Sequence, residues 1–105
     1  MVAQEKIAEA ARILVNAAQP HKIILFGSYG RGAPRENSDV DLLVVEAEVQ
    51  DRAAEMTRLN RALSPLRIAV DLLVVSREAF DHWASTPGNV YFSAVREGKV
   101  LYEAA

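Results

Sequence analysis

The sequence predicts an α/β domain built on a small mixed sheet of three or four strands flanked by helices. Two observations lead to this prediction. Short apolar runs rich in β-branched residues predict strands, and longer segments in which apolar residues recur every three or four positions predict helices. The two kinds of segment alternate along the chain. Such alternation is typical of sheets covered by helices. With 105 residues, half of them hydrophobic, the chain is expected to form one domain over residues 1–105.

Composition excludes several classes of protein. The chain has no cysteine, which excludes disulfides and thiolate metal sites. Its formal net charge of -2 gives no electrostatic basis for direct nucleic-acid binding. No apolar stretch approaches the roughly 20 residues of a membrane span, and the charged N-terminus lacks the apolar segment of a signal peptide. We therefore expect a cytoplasmic protein that binds neither nucleic acid nor membrane.

The first half of the chain is predicted to contain one helix and two buried strands. An amphipathic helix over residues 3–18 ends before Pro20, because the residue before a proline disfavours the helical conformation. Apolar runs over Lys22–Phe26 and Val40–Glu46 predict strands that are buried on both faces. Between them lies a glycine-rich segment, in which Ser28 is expected to cap a short helix.

The second half is predicted to hold a long helix, a strand and two shorter helices, over residues 50–63, 67–75, 77–84 and 90–96, followed by a short apolar tail or edge strand over residues 100–102. Ala53 is placed on the inward stripe of the long helix. Ser76 and Asn89 are suited to cap the two shorter helices. Gly98 is predicted to adopt the left-handed conformation just past the last helix.

Three aspartates interrupt strands that are otherwise apolar: Asp39 and Asp41 on the second strand, and Asp71 on the third. Singly, each would be explained as a strand-end cap or half of an ion pair. Together they repel one another unless they are protonated or bind cations. Asp39 and Asp41 share one face of a strand, about 7 Å apart. With a third carboxylate they can hold two divalent cations about 4 Å apart, and all-oxygen ligands favour Mg²⁺ or Mn²⁺ over zinc.

The glycine-rich segment G-x-x-G-x-G precedes the first carboxylate pair. It matches neither the dinucleotide-binding fingerprint nor a Walker A loop. Gly27 allows the backbone to approach a phosphate, and Ser28 offers a hydroxyl and an N–H group. Arg31 offers a planar fork of donors suited to phosphate oxygens; the alternative for Arg31 is a solvated loop arginine. The segment therefore predicts a phosphate site beside the carboxylates.

The combination of Gly27-Ser28, Asp39-Val40-Asp41 and a later strand aspartate, Asp71, resembles the signature of the DNA polymerase β-like nucleotidyltransferase superfamily. The form GSYGRG…SDVDLLVV, which includes Arg31 and Ser38, resembles its smallest branch, the minimal nucleotidyltransferases. The resemblance covers about residues 5–100. It implies the nucleotidyltransferase fold and the transfer of a nucleoside monophosphate, AMP from ATP, to an acceptor hydroxyl.

The resemblance also implies roles for individual residues. Asp39, Asp41 and Asp71 would be the catalytic residues and the ligands of two Mg²⁺ ions, with Mn²⁺ as the alternative metal. Asp71 would also help to deprotonate the attacking hydroxyl. The nucleotide would be bound by residues of the loop and of the turn before the second strand: Gly27, Ser28, Arg31 and Ser38.

Only 34 residues follow Asp71, too few for the helical second domain of larger relatives. Minimal members are commonly encoded beside a HEPN-domain ribonuclease toxin. The resemblance thus implies an antitoxin that adds AMP to a tyrosine of that toxin. Two alternatives stay open: an antitoxin that neutralises its partner by binding alone, and an enzyme that modifies a small molecule such as an aminoglycoside. Homo-oligomers and hetero-oligomers are both compatible with the sequence.

Overall fold

A four-stranded mixed sheet lies at the centre of the structure, a computed structural model that describes residues 1–105. Five helices and one 3₁₀ turn surround the sheet. The elements in chain order are α1 (Gln4–Ala18), β1 (Lys22–Phe26), α2 (Gly27–Gly30), β2 (Val40–Glu46), α3 (Arg52–Leu63), the 3₁₀ turn (Ser64–Leu66), β3 (Val70–Ser76), α4 (Arg77–Trp83), α5 (Val90–Glu97) and β4 (Lys99–Glu103).

The strands lie in the order β3-β2-β1-β4. Strand β1 is antiparallel to both β2 and β4, whereas β2 and β3 are parallel and are joined through α3. A parallel pair requires such a crossover because both strands start at the same edge of the sheet. The predicted α/β class and mixed sheet are confirmed, and of the two alternatives for the last segment the structure has the edge strand, β4. No helix is both long and apolar enough to cross a membrane.

The two faces of the sheet support two separate hydrophobic cores, and β2 contributes to both. One face packs against α1 and α3 through Val40, Leu42 and Val44. The other face packs against α4 and α5 through Leu43 and Val45. All five of these side chains are fully buried. The alternation predicted for β2 is therefore confirmed, and the strand that carries the carboxylates is held on both faces.

Two predictions near the site are wrong in detail. Helix α2 begins at Gly27, so Ser28 lies inside the helix and its side chain makes no capping hydrogen bond. Strand β3 begins at Val70, because Arg67 adopts a left-handed conformation with φ 54° and closes the 3₁₀ turn through an N–H bond to the Ser64 carbonyl of 3.1 Å. The residues before β3 therefore form a bend that the apolar pattern does not reveal.

Three further details differ from the predictions or add to them. Gly98 is extended, with φ -85°, and does not adopt the predicted left-handed conformation. A glycine is needed there for a different reason: a Cβ would lie 2.7 Å from the Leu25 carbonyl oxygen. Ala53 is exposed rather than inward. Helix α3 begins two residues later than predicted, where the Asp51 carboxylate accepts a 3.0 Å bond from the Ala54 N–H. The caps predicted at Ser76 and Asn89 are confirmed.

A buried carboxyl group ends β2. Glu46 is 9% exposed, and its Oε2 has no hydrogen-bond partner. Beside it, Arg58 donates two 2.8 Å bonds to Glu55 and one of 2.8 Å to the Ala17 carbonyl, which joins α3 to α1. Burial, together with the neighbouring Glu55, raises the pKa of Glu46 to about 8. The hydrogen bonds from Arg58 lower the pKa of Glu55 to about 2. Glu46 is therefore protonated at neutral pH beside an ionised partner.

We expect the substitution Glu46→Gln to stabilise the protein increasingly as the pH rises. The pKa of Glu46 is raised by folding, so its contribution to stability is present below its unfolded pKa and is lost as the pH rises through about 8. Glutamine keeps a donor and cannot ionise, so at high pH the variant should gain about 1–3 kcal/mol. Urea unfolding across this pH range measures the difference. The exposed control Glu48→Gln should show no such trend, and a loss of stability in Glu46→Gln at high pH would contradict the assignment.

Candidate active site

Strand register brings the predicted site residues together at one edge of the sheet. Phe26, the last residue of β1, lies opposite Asp41 in the antiparallel pair, so the chain turns at Gly27 directly beside that carboxylate. Asp41 in turn lies opposite Asp71 in the parallel pair. Neighbouring strands are about 4.8 Å apart, so the Asp41 and Asp71 side chains lie side by side on one face. The sequence-predicted turn and two of the three carboxylates thus form one cluster.

Gly27 fits this position for two independent reasons. Its φ of +67° lies in the left-handed region that L side chains rarely adopt. In addition, a Cβ at this position would overlap Oδ2 of Asp41 and lie 3.0 Å from its Cγ. The backbone of α2 therefore lies so close to the carboxylate that any side chain at this position would require Asp41 to move. This close approach connects the predicted phosphate turn to the predicted metal ligands.

The carboxylates have no cation within ion-pair distance. The three salt bridges of the chain involve none of Asp39, Asp41 or Asp71. Burial raises the pKa of Asp41, the negative charges of Asp71 and Asp39 raise it further, and Arg31 partly offsets these effects. The site thus combines partial burial with uncompensated negative charge. A bound cation would relieve both the repulsion and the cost of burial.

The donor set fits a divalent metal, although the structure holds no preformed cluster. Nowhere in the chain do three acidic or histidine side chains converge as a metal-binding group. Asp41 and Asp71 are close enough to share a hydrogen bond when one is protonated. Asp39 is exposed and lies one residue before β2, so its side chain must turn towards the pair to complete the set. A ligand set made only of carboxylate oxygens suits Mg²⁺ or Mn²⁺. The two-metal site stays a prediction.

The remaining predicted nucleotide ligands have other contacts in this structure. Arg31 Nη1 lies 3.7 Å from Oε2 of Glu97, and both side chains are 51% exposed. Exposed pairs of this kind contribute little to stability, so Arg31 is free to exchange Glu97 for a phosphate. The Ser38 hydroxyl accepts a 2.9 Å bond from the Arg35 N–H and so orders the loop. Ser28 is half-buried in α2 beside Gly27.

Two residues that support the site were missed from the sequence. Tyr29 is buried, and its hydroxyl accepts a 2.8 Å bond from the Val2 N–H, which ties the N-terminus to α2. Gly30 allows α2 to lie against β1, because a Cβ there would be 2.6 Å from the Leu25 carbonyl oxygen. The second and third glycines of the loop looked alike in the sequence. Only Gly30 is needed for packing, since Gly32 has open space around it.

Gly27→Ala is expected to destabilise the protein more than Gly32→Ala, and the difference isolates the contact with Asp41. Both glycines have positive φ, of 67° and 74°, but only the Cβ at Gly27 meets another atom within 4 Å. Left-handed strain should cost each variant about 1–2 kcal/mol, and overpacking should add about 1–3 kcal/mol to Gly27→Ala alone. Urea unfolding measures both, and equal losses would refute the close approach to Asp41.

Asp41→Asn is expected to raise the melting temperature of the metal-free protein and to abolish its response to Mg²⁺. The raised pKa of Asp41 means that stability is lost as the pH rises through that pKa, and asparagine removes the charge responsible. Mg²⁺ should stabilise the wild type by mass action but not the variant. Thermal melts with and without Mg²⁺ give the readout. The exposed aspartate of α4 supplies a control, since Asp81→Asn should respond as the wild type does; an equal Mg²⁺ shift in Asp41→Asn would exclude this metal site.

Comparison with known proteins connects this geometry to a family. The family model described as polymerase beta, nucleotidyltransferase, matches residues 5–105. MJ0604 of Methanocaldococcus jannaschii, a proposed protein adenylyltransferase, is 33% identical over 84 residues, which are 77% of each chain. The protein adenylyltransferase MntA of Shewanella oneidensis is 39% identical over 51 residues, 49% of this chain and 37% of MntA.

Solved structures share the fold. A minimal nucleotidyltransferase superposes with a TM-score of 0.64 at 27% identity, covering 94% of this chain and 95% of that one. A toxin–antitoxin structure with AMP-PNP gives 0.67 at 25% identity, covering 98% and 75%. The MNT antitoxin complex with the tri-AMPylated HEPN toxin of Shewanella oneidensis gives 0.62 at 23% identity, covering 96% and 72%, and shows the fold alone. Because the family model covers nearly the whole chain, this chain belongs to the polymerase β-like nucleotidyltransferase family, as a minimal nucleotidyltransferase.

Proposed function

We propose that this chain is a metal-dependent protein adenylyltransferase that transfers AMP from ATP to a tyrosine hydroxyl of a HEPN-domain toxin, and so acts as its antitoxin. The observation that carries this proposal is the register of Asp41 and Asp71 against the Gly27 turn. It places carboxylates without counter-ions beside backbone suited to phosphate. The names of MJ0604 and MntA, both adenylyltransferases of proteins, support the choice of acceptor. The cytoplasmic location stays a prediction.

Each residue has a defined task in this reaction. Asp39 and Asp41 would hold Mg²⁺, with Asp71 completing the ligand set; when bound, the metal supplies Lewis-acid stabilisation of the charge on the phosphates. Gly27 and Ser28 would bind the β- and γ-phosphates, with Arg31 released from Glu97 to assist. Asp71 would orient the acceptor hydroxyl and take up its proton. A bond then forms between the tyrosine oxygen and the α-phosphorus while the bond to the β-phosphate oxygen breaks, and pyrophosphate leaves.

The proposal predicts label transfer that depends on the carboxylates. Wild-type protein incubated with a HEPN partner, Mg²⁺ and ATP labelled in the α-phosphate should yield covalently labelled partner and pyrophosphate. Asp39→Ala/Asp41→Ala should reduce this transfer by a factor of about 10³ or more, because it removes the residues that position and neutralise the triphosphate. The matched control Glu48→Ala/Asp81→Ala removes two exposed acids outside the site and should transfer normally.

Circular dichroism must first show that the double variant is folded. Survival of label transfer in that variant would refute the site. Full neutralisation of the toxin by the folded but inactive variant would instead favour the antitoxin that acts by binding alone. Intact mass spectrometry of both proteins separates transfer to the partner from self-modification.

A further inference from the structure

A groove of about 640 Å³ opens beside Asp39, at the same edge of the sheet as the site. Three segments form its walls: the residues around the start of α1, the loop before β2 and the bend that leads into β3. Its lining consists of Met1–Ala3, Lys6, Tyr29, Glu36–Asp39 and Leu66–Ala69. Of the three predicted metal ligands, only Asp39 lines the groove.

Arg67 is one of two non-glycine residues of the chain with positive φ, the other being Gln19 at the end of α1. Arg67 takes up a left-handed conformation with φ 54° at the end of the 3₁₀ turn, where glycine or asparagine is favoured over any residue with a long side chain. It is exposed and belongs to none of the three ion pairs of the chain. Local structure therefore gives no reason for an arginine here. An arginine at this position adds a positive charge to the wall of the groove.

Lys6 is a second cation that local structure disfavours. It is the third residue of α1, within the first turn, where the helix dipole favours acidic side chains and opposes basic ones. Lys6 is also exposed and unpaired. Two cations without partners in the chain thus line one groove, together with the apolar residues Leu66 and Ile68.

We propose that this groove binds the segment of a protein acceptor around its tyrosine, with acidic side chains of that segment paired to Lys6 and Arg67. The proposal rests on the proposed function, which assigns the triphosphate to the Gly27 turn and leaves this side of Asp39 to the acceptor. Glu36 and Asp39 also line the groove. The segment must therefore combine acids facing the two cations with uncharged residues facing Glu36 and Asp39, and its tyrosine hydroxyl would have to extend past Asp39 to Asp71.

Binding of labelled peptides to the full chain tests this directly. Three fluorescein peptides share one tyrosine and differ only in their flanking residues, which are glutamate, glutamine or lysine. At low ionic strength the wild type should bind the glutamate peptide about tenfold more tightly than the glutamine peptide, and the lysine peptide most weakly. The variant Lys6→Ala/Arg67→Gly should lose this preference while staying folded, because glycine suits the left-handed position.

The control Arg12→Ala/Arg77→Ala removes the same charge from exposed arginines outside the groove and should keep the preference. Equal binding of the glutamate and glutamine peptides, or a preference that survives in Lys6→Ala/Arg67→Gly, would overturn the proposal. A raised KM for ATP in that variant would assign the cations to the nucleotide and would overturn it too. A lower molecular mass in solution for that variant than for the wild type would show that the groove binds a second copy of the chain. That result would also overturn the proposal.

Failure of this proposal is distinguishable from failure of the proposed function. A charge-dependent preference without AMP transfer to any peptide or to the HEPN partner would support the groove and contradict the enzyme. AMP transfer at equal rates to the glutamate and glutamine peptides would support the enzyme and overturn the groove.

Discussion

The pairing of Asp41 with Asp71 across two parallel strands is the constraint on which the rest of the molecule depends. Carboxylates side by side on one face repel, and this repulsion together with burial raises the pKa of Asp41. Arg31 offsets these effects only in part, and no cation lies within ion-pair distance of either carboxylate. The glycine at position 27 leaves room for the Asp41 carboxylate but brings no charge of its own to it. In the proposed function, a bound metal would neutralise this charge.

The fold tolerates this local cost because β2 is held from both sides. Val40, Leu42 and the three residues after it are fully buried in two cores. Each such side chain contributes about 1.5–3 kcal/mol, so the apolar part of the strand outweighs the repulsion at its beginning. The same logic applies at its other end, where Glu46 is buried and gives up its charge instead. Strand β2 thus carries two acids whose pKa values burial raises: Asp41, a metal ligand in the proposed function, and Glu46, which keeps its proton at neutral pH.

Structural features that depend on residues close together in the sequence were predictable. Alternation placed the faces of β2 correctly, and the capping preferences of Ser76 and Asn89 identified two helix starts. Features that depend on distant partners were not predictable. The lack of room for a side chain at Gly98 depends on the Leu25 carbonyl, which is distant in sequence. The left-handed Arg67 follows an apolar stretch that resembles a strand in sequence. Likewise, spacing indicated three carboxylates, but only strand register showed that Asp41 and Asp71 are the adjacent pair.

The position of β4 has a consequence for how the protein is made. Strand β1, which delivers the chain to Gly27, is flanked on one side by β2 and on the other by the last strand of the sequence. Gly98, the residue before that strand, packs on the same carbonyl of Leu25 that Gly30 approaches from α2. The packing around the Gly27 turn therefore depends on residues 98–103 as well as on β2, and these residues are the last of its neighbours to be synthesised. Although the glycine-rich segment lies in the first half of the chain, its surroundings are complete only when β4 is in place.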